Sequence, residues 1–343
     1  MSRSNIHFLF RPQSIAVVGA STREGTVGHA LFSNVLMNHY TGVVFPVNMK
    51  AKSVMGVKAY PSILHIPDEV DLAVLVVPAL TVPAALSECG QKGVKAAIVI
   101  SAGFKELGPV GAKLEKSVRQ RAREHCIAMV GPNCFGLINT DSTVRLNTTF
   151  GRVMPQHGNI AFVSQSGAVG VNALEYAESE GVGLSKFASI GNKADVNEND
   201  LLEYLKEDDE TDVIAMYLED LVDPAEFMRI ARTITSDPGR PKPILAIKSG
   251  RTSEGRRRPL HTPARWQGRT RPTTPSSPSH ACCASRPSTS SSPRRRRWPT
   301  SPRRKARASP SSPMPAASAS WPPTRAYRTG SGSPRWARTP WRN

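Results

Sequence analysis

The sequence is poor in cysteine and in long apolar runs, and each shortage excludes a class of protein. No apolar run has the length of a membrane-spanning helix, and residues 1–10 contain no apolar core of signal-peptide length. The few cysteines have neither the spacing of metal ligands nor that of a disulfide framework; they are Cys89, Cys126, Cys134, Cys282 and Cys283. We therefore expect a reduced, cytoplasmic protein with no membrane segment.

Acidic residues are absent from the last quarter of the chain. Residues 256–343 contain 20 lysine and arginine residues and no aspartate or glutamate, whereas residues 1–255 contain 25 and 27 respectively. This tail also has a single leucine and no isoleucine, valine or phenylalanine. Such a composition buries too little apolar surface to offset the entropy cost of ordering. The sequence thus predicts a disordered Arg/Pro/Ser-rich tail over 256–343, and a uniformly basic nucleic-acid-binding protein is excluded.

Short apolar runs alternate with helical patterns in the rest of the chain. The runs predict strands at Ser14–Val18, Val43–Val47, Leu72–Val77, Ala96–Ile100, Ala128–Val130, Asn159–Val163, Lys186–Ser189, Val213–Tyr217 and Pro243–Ile247. Helices are predicted at Gly28–Asn38, Val82–Lys92, Val110–His125, Gly167–Glu178, Glu198–Glu207 and Pro224–Thr235. Apolar strands separated by helices indicate parallel sheets covered on both faces. We predict two α/β domains, over 1–145 and 150–255, joined near 139–155.

Small residues follow the strands of the first domain, at the edge where parallel sheets bind ligands. The first loop runs from Gly19 to Gly28, and its glycines would let backbone amides approach a phosphate at the next helix. The second strand is followed by Lys50 and not by the acidic residue that a dinucleotide fold uses for ribose. Lys50 therefore favours a phosphate group over NAD. Plain turns and a solvated surface lysine are the alternatives.

In the second domain, Ser164-Gln165-Ser166-Gly167 joins a strand to a helix. Two hydroxyls and the amides of a helix N-terminus form a seat for phosphate. A serine nucleophile is one alternative, but the pattern is not Gly-x-Ser-x-Gly and the sequence offers no persuasive His/Asp partners. Simple N-capping of the helix is the other alternative.

Taken in order, these motifs resemble those of the NDP-forming acyl-CoA synthetases, that is, the ADP-forming acetate–CoA ligases related to the succinyl-CoA synthetase alpha subunit. The resemblance runs from about Leu9 to Glu254. Its motifs are Gly19-Ala20-Ser21, Pro46-Val47-Asn48, Val76-Val77-Pro78, Ser101-Ala102-Gly103-Phe104, Gly131-Pro132-Asn133-Cys134, Ser164-Gln165-Ser166-Gly167, Ser189-Ile190-Gly191-Asn192-Lys193-Ala194-Asp195, Tyr217-Leu218-Glu219 and Ala246-Ile247-Lys248-Ser249-Gly250-Arg251. It implies a Rossmann-like CoA-binding domain followed by an incomplete flavodoxin-like, succinyl-CoA synthetase-like domain.

The family converts acyl-CoA, ADP and phosphate into acid, CoA and ATP through an acyl phosphate and a phosphohistidine. The resemblance implies that coenzyme A contacts Gly19, Ser21, Thr22, Gly25, Lys50, Pro78, Ser101, Ala102 and Gly103, with Asn133 and Cys134 beside the reacting thiol. It assigns phosphate to Ser164, Ser166 and Gly167. Glu219 resembles the carboxylate that orients the catalytic histidine, with a plain surface acid as the alternative. ATP or ADP, Mg²⁺ and an ATP-grasp subunit or domain are implied only for the intact enzyme.

The family pattern breaks after Gly255. Where the family has Ser-His-Thr-Gly-Ala-Leu-Ala-Gly-Ser-Asp, which contains the phosphorylated histidine, this chain has His-Thr-Pro-Ala-Arg-Trp-Gln-Gly-Arg-Thr from His261 to Thr270. Suitable codons for the family run, read one base later, encode this sequence. We therefore predict a frameshift from about Arg256, so that His261 is not the catalytic histidine and synthetase turnover is lost.

Two other interpretations concern the tail and the parent protein. The Arg294–Arg297 run and the tryptophans are compatible with a disordered arm that binds nucleic acid through charge and stacking. Some bacterial protein lysine acetyltransferases carry the same synthetase-like region as a CoA-sensing regulatory module. The sequence contains no acetyltransferase portion with which to decide between the ligase and this alternative.

Overall fold

The computed structural model describes residues 5–249. Its strands are β1 (Ser14–Val18), β2 (Val43–Val47), β3 (Ser53–Val54), β4 (Val57–Lys58), β5 (Leu72–Leu75), β6 (Ala96–Val99), β7 (Ala128–Val130), β8 (Gly136–Asn139), β9 (Leu146–Asn147), β10 (His157–Ser164), β11 (Leu184–Ser189), β12 (Val213–Leu218) and β13 (Ile244–Lys248). Its α-helices are α1 (His7–Phe10), α2 (Val27–Met37), α3 (Val82–Lys92), α4 (Pro109–Glu124), α5 (Gly167–Ser179), α6 (Glu198–Lys206) and α7 (Pro224–Thr235). Three short 3₁₀ helices cover Ile63–His65, Ala79–Thr81 and Lys105–Leu107.

The first sheet has the strand order β2-β1-β5-β6-β7, and all of its strands are parallel. In its register, Ile15 lies between Val44 and Leu72. The strands β5, β6 and β7 are buried along their whole length. This explains their continuous apolar sequences, because helices cover both faces of the sheet. The five strands predicted for this domain are all present, with ends that agree within two residues.

Capping residues set the ends of several helices. Thr26 accepts a hydrogen bond from the His29 amide at the start of α2. Gly93, in the left-handed conformation, ends α3. Asn197 forms a capping box with Asp200 at the start of α6. These are the side chains and the glycine that stabilise helix termini, which otherwise leave backbone groups unpaired.

The second sheet has the strand order β13-β12-β10-β11-β8-β9. The strands β10 to β13 are parallel, whereas β8 pairs antiparallel with β11. Helices α6 and α7 pack on one face through Leu201, Phe227 and Ile230, which join Ile214 and Met216 in one apolar cluster. Helix α5 packs on the other face through Leu174, beside Phe187.

Two strands of the second sheet, β8 and β9, lie where the sequence analysis placed a strand-end turn and an inter-domain connection. Their apolar segments, Leu137-Ile138 and Leu146, are too short to show a strand pattern. Both strands are buried because β8 completes the sheet beside β11. The second sheet therefore begins at Gly136, before the predicted joining region.

The predicted α/β class is confirmed, with a parallel, Rossmann-like first sheet and a second, separate sheet. The predicted disordered tail, the frameshift and His261 lie outside the described residues. Within residues 5–249, no helix has the length and apolar character needed to cross a membrane.

Candidate functional site

The strand order predicts a crevice at the carboxyl edge of each sheet. In the first sheet, the chain runs from β1 to β2 on one side of β1 and continues later with β5 on its other side. In the second sheet, β10 has the same position between β11 and β12. Parallel α/β sheets bind ligands at such topological switch points, outside the carboxyl ends of the strands. Both crevices are therefore candidate sites.

The crevice of the first sheet is built on two glycines. A Cβ added to Gly19, which has a φ of +97°, would lie closer than 3.0 Å to the Val76 carbonyl. A Cβ on Gly28 would approach the Gly19 carbonyl equally closely. The two glycines let the loop after β1 lie against both β5 and the first turn of α2. This is the close packing that a phosphate-binding turn requires.

The rest of this loop is exposed and held by local hydrogen bonds. Ser21 accepts a hydrogen bond from the Arg23 amide at 3.1 Å, and its carbonyl contacts His29 Nδ1 at 3.1 Å. Thr22 and Gly25 are exposed, and Gly25 has a φ of +75° with open space around it. The loop thus presents its backbone to solvent at the N-terminus of α2.

The loop after β2 approaches the same crevice. Asn48 Nδ2 donates to the Ala20 carbonyl at 2.7 Å, which ties this loop to the one after β1. Asn48 Oδ1 accepts the amide of Lys50 at 2.9 Å. Lys50 itself is exposed, so its ammonium is accessible to a ligand.

The strands β5 and β6 end in two loops that contact each other. Pro78 is exposed, and the Ser101 hydroxyl donates to the Val77 carbonyl. Gly103, with a φ of +111°, donates its amide to Glu106 Oε1 at 2.6 Å. Ala102, between them, is exposed.

Glu106 is a residue that the sequence analysis missed. Burial opposes its ionisation, but hydrogen bonds from Asn192, Gly103 and Phe104 outweigh burial and lower its pKa. The ionised carboxylate accepts Asn192 Nδ2 at 2.7 Å and two amides of the Gly103 loop. Glu106 therefore fixes the shape of the loop after β6, a role that a lone acidic residue in a turn does not reveal in sequence.

Beyond β7, the chain turns through a cis Gly131–Pro132 peptide to Asn133. Asn133 is exposed, has a φ of +58° and donates its amide to the Ser101 carbonyl at 2.9 Å. It therefore lies at the same edge of the sheet as the loop after β6.

Cys134 lies next to Asn133 but points inward. Its thiol is buried and donates to the Val99 carbonyl at 3.3 Å, and burial raises its pKa to about 12. The side chain is a packing group at neutral pH, because the thiol stays protonated and the residue is buried.

The second crevice contains the three residues predicted to bind phosphate, Ser164, Ser166 and Gly167, and Glu219, which was predicted to orient the catalytic histidine. Ser166 caps α5 by accepting the Val169 amide, and Gly167 begins the helix. The Ser164 hydroxyl is fully buried and donates to the Ser166 carbonyl at 2.7 Å. Glu219 follows β12, the neighbour of β10. Ser166 and Gly167 at the start of α5 are thus partly exposed, whereas Ser164 is buried and supports the turn.

The serine nucleophile alternative finds no partner in the described part of the chain. Ser164 bonds to a backbone carbonyl, and Ser166 acts as a helix cap. Neither hydroxyl has a hydrogen bond to histidine within residues 5–249. The same range holds no cluster of three His, Cys, Asp or Glu side chains suited to a metal ion.

Gln165 connects the two strands of the second crevice. Its backbone amide donates to the Tyr217 carbonyl at 2.9 Å. Its side-chain Oε1 accepts the backbone amides of Glu219 at 2.9 Å and Asp220 at 3.1 Å. Gln165 lies within the motif Ser164–Gly167, where no role was predicted for it. Its contacts hold the Glu219 loop against the start of α5.

The two crevices are joined by the segment from Gly131 to Gly136. The Phe135 amide donates to Ser189 Oγ at 3.0 Å, beside the second crevice. A Cβ placed on Gly167 would lie 3.7 Å from the Cβ of Phe135. Asn133 at the first crevice is thus two residues from a side chain that contacts the start of α5.

Two family models match the chain, one for each sheet. Residues 13–140 match a CoA binding domain, and residues 157–270 match a succinyl-CoA ligase like flavodoxin domain. The second match extends past residue 249, into the part that the structure does not describe.

Several curated proteins are similar to this chain. The ADP-forming acetate–CoA ligase I of Archaeoglobus fulgidus is 48% identical over 247 residues, which cover 72% of this chain and 35% of that protein. The alpha subunit of ADP-forming acetate–CoA ligase I from Pyrococcus furiosus is 43% identical, covering 73% and 54%. The chain therefore spans about a third to a half of the length of these relatives.

A solved structure has a similar fold over most of this chain. The dinucleotide-forming acetyl-coenzyme A synthetase 1 of Ca. Korarchaeum cryptofilum, in complex with phosphate and ADP, superposes with a TM-score of 0.69 at 40% identity. The match covers 74% of this chain and 53% of that one.

Proposed function

The chain belongs to the ADP-forming acetate–CoA ligase family over the CoA-binding and succinyl-CoA ligase-like domains that it carries, and from this we propose that it binds coenzyme A in the first crevice and phosphate in the second. The observation that carries the proposal is the segment from Gly131 to Gly136. Its residue Asn133 lies at the first crevice, and its residue Phe135 lies against the start of α5. A thioester held in one crevice would therefore end close to an anion held in the other.

The first crevice fits the phosphates and the pantetheine arm of coenzyme A. The packing of Gly19 and Gly28 brings backbone within reach of a ligand, as a phosphate cradle needs. Lys50 is an exposed cation beside that cradle. We assign the nucleotide end to the Ser21–Gly25 loop and Lys50, and the pantetheine to Pro78 and residues 101–103. Asn133 then marks the thiol end, while Cys134 supports it from within the core.

The second crevice fits inorganic phosphate. The first amides of an α-helix lack intrahelical partners and carry the positive end of the helix dipole. Gly167 adds no side chain to hinder an anion there, and Ser166 offers a hydroxyl at the same end. We assign phosphate to Ser166 and Gly167, with Ser164 as a buried support.

In this arrangement an oxygen of bound phosphate attacks the thioester carbonyl carbon of acyl-CoA. The C–S bond breaks, the products are acyl phosphate and CoA, and the thiolate takes a proton from solvent. The two crevices serve this step by holding both reactants in one orientation, which lowers the entropy cost of reaction.

Complete ligase turnover requires a further transfer of the phosphoryl group to histidine and then to ADP. In the family, Glu219 would steady that histidine in its charged form. We propose that this chain does not complete the sequence, because the frame breaks before the histidine motif. ADP, ATP, Mg²⁺ and an ATP-grasp partner would then belong to the intact enzyme.

Calorimetry with coenzyme A and with NAD tests the proposal. We expect CoA to bind and NAD to show no heat, because Lys50 occupies the region where NAD-binding folds place an acid. Tight NAD binding without CoA binding would refute the assignment of the first crevice.

Incubation with labelled ATP tests the loss of turnover. The expected result is no phosphohistidine, and a labelled His261 would overturn the frameshift. Sequencing the gene across Glu254–His261 provides an independent check, because an intact frame encoding this tail contradicts the prediction.

Translation of the downstream DNA in the other frame distinguishes the two parent proteins. An ATP-grasp region without further domains would support a ligase. An appended acetyltransferase domain would instead support the CoA-sensing regulatory module.

A further inference from the structure

Lys193 lies between the two crevices and belongs to neither of the sets of residues assigned above. Its side chain is 2% exposed, and its backbone has a φ of +54°. The ammonium forms ion pairs with Glu198 at 3.0 Å and with Asp220, and it donates to the Asp220 carbonyl at 3.0 Å. A buried charge is costly to desolvate unless several partners compensate it. These contacts therefore fix the ammonium in one place.

Asp220 connects Lys193 to the second crevice through a hydrogen bond. Its Oδ1 accepts Gln165 Nε2 at 2.7 Å. Gln165 in turn accepts the amides of Glu219 and Asp220, as described above. Burial alone raises the pKa of Asp220, but the neighbouring Lys193 and the hydrogen bond from Gln165 lower it, so the carboxylate stays ionised at neutral pH.

The backbone on either side of Lys193 contacts the first crevice. The Asn192 amide donates to the Pro132 carbonyl at 2.9 Å, and the Ala194 amide donates to the Gly131 carbonyl at 3.0 Å. A Cβ on Gly191 would lie 2.5 Å from the carbonyls of Pro132 and Asn133, so the segment passes very close to the turn. The backbone around Lys193 thus contacts the turn at the first crevice, and the Lys193 side chain contacts Asp220 beside the second crevice.

We propose that Lys193 is a positioning residue that holds Gln165 and the Glu219 loop around the phosphate bound at α5. It acts through Asp220 and does not touch the substrate, because its ammonium is enclosed by Glu198 and Asp220. The inference rests on the proposed function, since it requires phosphate at the start of α5. Its consequence is selective: loss of the ammonium weakens phosphate binding and leaves CoA binding intact.

The test compares Lys193→Met with Lys186→Met in the full chain. Lys186 is a matched control, because it is also a buried lysine, 1% exposed, with an ion pair of 2.6 Å to Asp208. It lies near the beginning of β11, and its partner follows α6, away from the carboxyl edge. Both substitutions remove the cationic partner of a buried carboxylate, so both should lower stability.

Calorimetry measures CoA binding, and ³¹P line broadening measures the binding of inorganic phosphate. For Lys193→Met we expect phosphate affinity to fall at least about tenfold, the scale of a lost hydrogen bond to a charged group. CoA affinity should stay within about twofold of the wild type. Lys186→Met should keep both affinities. Unchanged phosphate binding in Lys193→Met, or an equal loss in Lys186→Met, would overturn the proposal.

A double-mutant cycle tests the route of action. If Lys193 acts through Gln165, then Lys193→Met combined with Gln165→Met should bind phosphate no more weakly than Gln165→Met alone. Additive losses would contradict the route. If Lys193→Met does not fold, Asp220→Ala tests the same link, because it removes the acceptor of Gln165 Nε2 and retains the ion pair between Lys193 and Glu198; phosphate binding unchanged by that substitution would refute the proposal.

The wild-type chain separates this inference from the proposed function. Wild-type protein that binds neither CoA nor phosphate refutes the proposed function and the role of Lys193 together. Wild-type protein that binds both ligands, combined with a Lys193→Met variant that also binds both, refutes only the positioning role.

Discussion

Gly19 and Gly28 determine the shape of the first crevice, and a side chain at Gly19 should affect both stability and binding. Gly19 combines a positive φ with a close approach to Val76, whereas many other glycines have a positive φ in open space. A side chain at Gly19 therefore meets both backbone strain and a steric clash.

We predict that Gly19→Ala lowers the free energy of unfolding by about 2–4 kcal/mol, from overpacking together with the strained conformation. It should also abolish CoA binding. Gly181→Ala is the control, since Gly181 has a φ of +66° and nothing within 4 Å. Urea unfolding and calorimetry measure the two effects. Equal losses of stability in the two variants would show that the clash with Val76 is unimportant.

The cysteines within residues 5–249 differ in accessibility. Cys89 and Cys134 are buried, and burial raises the pKa of each thiol to about 12, whereas Cys126 is exposed. Since a thiol with a raised pKa stays protonated in the folded state, it resists alkylation below that pH.

We expect iodoacetamide at pH 8.5 to modify Cys126 in the folded protein and to leave Cys89 and Cys134 unmodified. The buried thiols resist alkylation because their pKa is raised in the folded protein. In the unfolded protein the thiols titrate near about 8.5, so they should react once urea exposes them. Peptide mass spectrometry reads each site separately. Alkylation of folded Cys134 as fast as Cys126 would contradict its placement in the core.

Among the secondary-structure elements, those with strong local signals agree with their predicted positions. Helix α7 was predicted at Pro224–Thr235 and has those bounds, because Asp223 and Pro224 define its start and its apolar residues follow a helical period. The strand β8 was not predicted, since its position depends on pairing with β11, which lies 45 residues or more along the chain.

The residues of the candidate sites were likewise predicted where their signal is local in sequence and missed where it is not. The loops after β1 and β10 were predicted, because glycine and serine between a strand and a helix are local signals. Glu106, Gln165 and Lys193 were given no role, because each acts through a partner that is distant in sequence. Only the folded chain brings those partners together.

Asp223 allows a test at the level of one helix. Its carboxylate accepts the amides of Ala225 and Glu226 at 3.0 Å each. We predict that Asp223→Ala lowers the free energy of unfolding by about 1 kcal/mol, the usual value of an N-cap. Asp223→Asn, which keeps the acceptor, should be nearly neutral. Chemical denaturation of the three proteins gives the comparison, and an equal effect of both substitutions would point to charge alone.

For the whole molecule, the far edge of the second sheet carries apolar side chains that remain exposed. On β13, Leu245 is 53% exposed and Ile247 is 62% exposed, and the register places them beside Ala215 and Tyr217. Contiguous apolar surface of this kind promotes association between molecules.

We predict that the double substitution Leu245→Thr and Ile247→Thr raises solubility and reduces light scattering at high concentration. CoA affinity should not change, because β13 lies at the opposite end of the molecule's second sheet from β8 and outside the first crevice. Leu36→Thr is a suitable control, as it alters a partly buried apolar residue elsewhere. Aggregation that is equal in wild type and double variant would assign poor solubility to another part of the chain.

The early start of the second sheet has a practical consequence for dissecting the protein. A fragment that stops in the stretch between β9 and β10 would keep β8 and β9 without β11, their structural neighbour. Its complement would lose the pair that shields one margin of its own sheet. The N-terminal half therefore contributes two strands to the sheet of the C-terminal half. Separate expression of fragments divided between β9 and β10 should yield two incompletely folded fragments and not two folded domains.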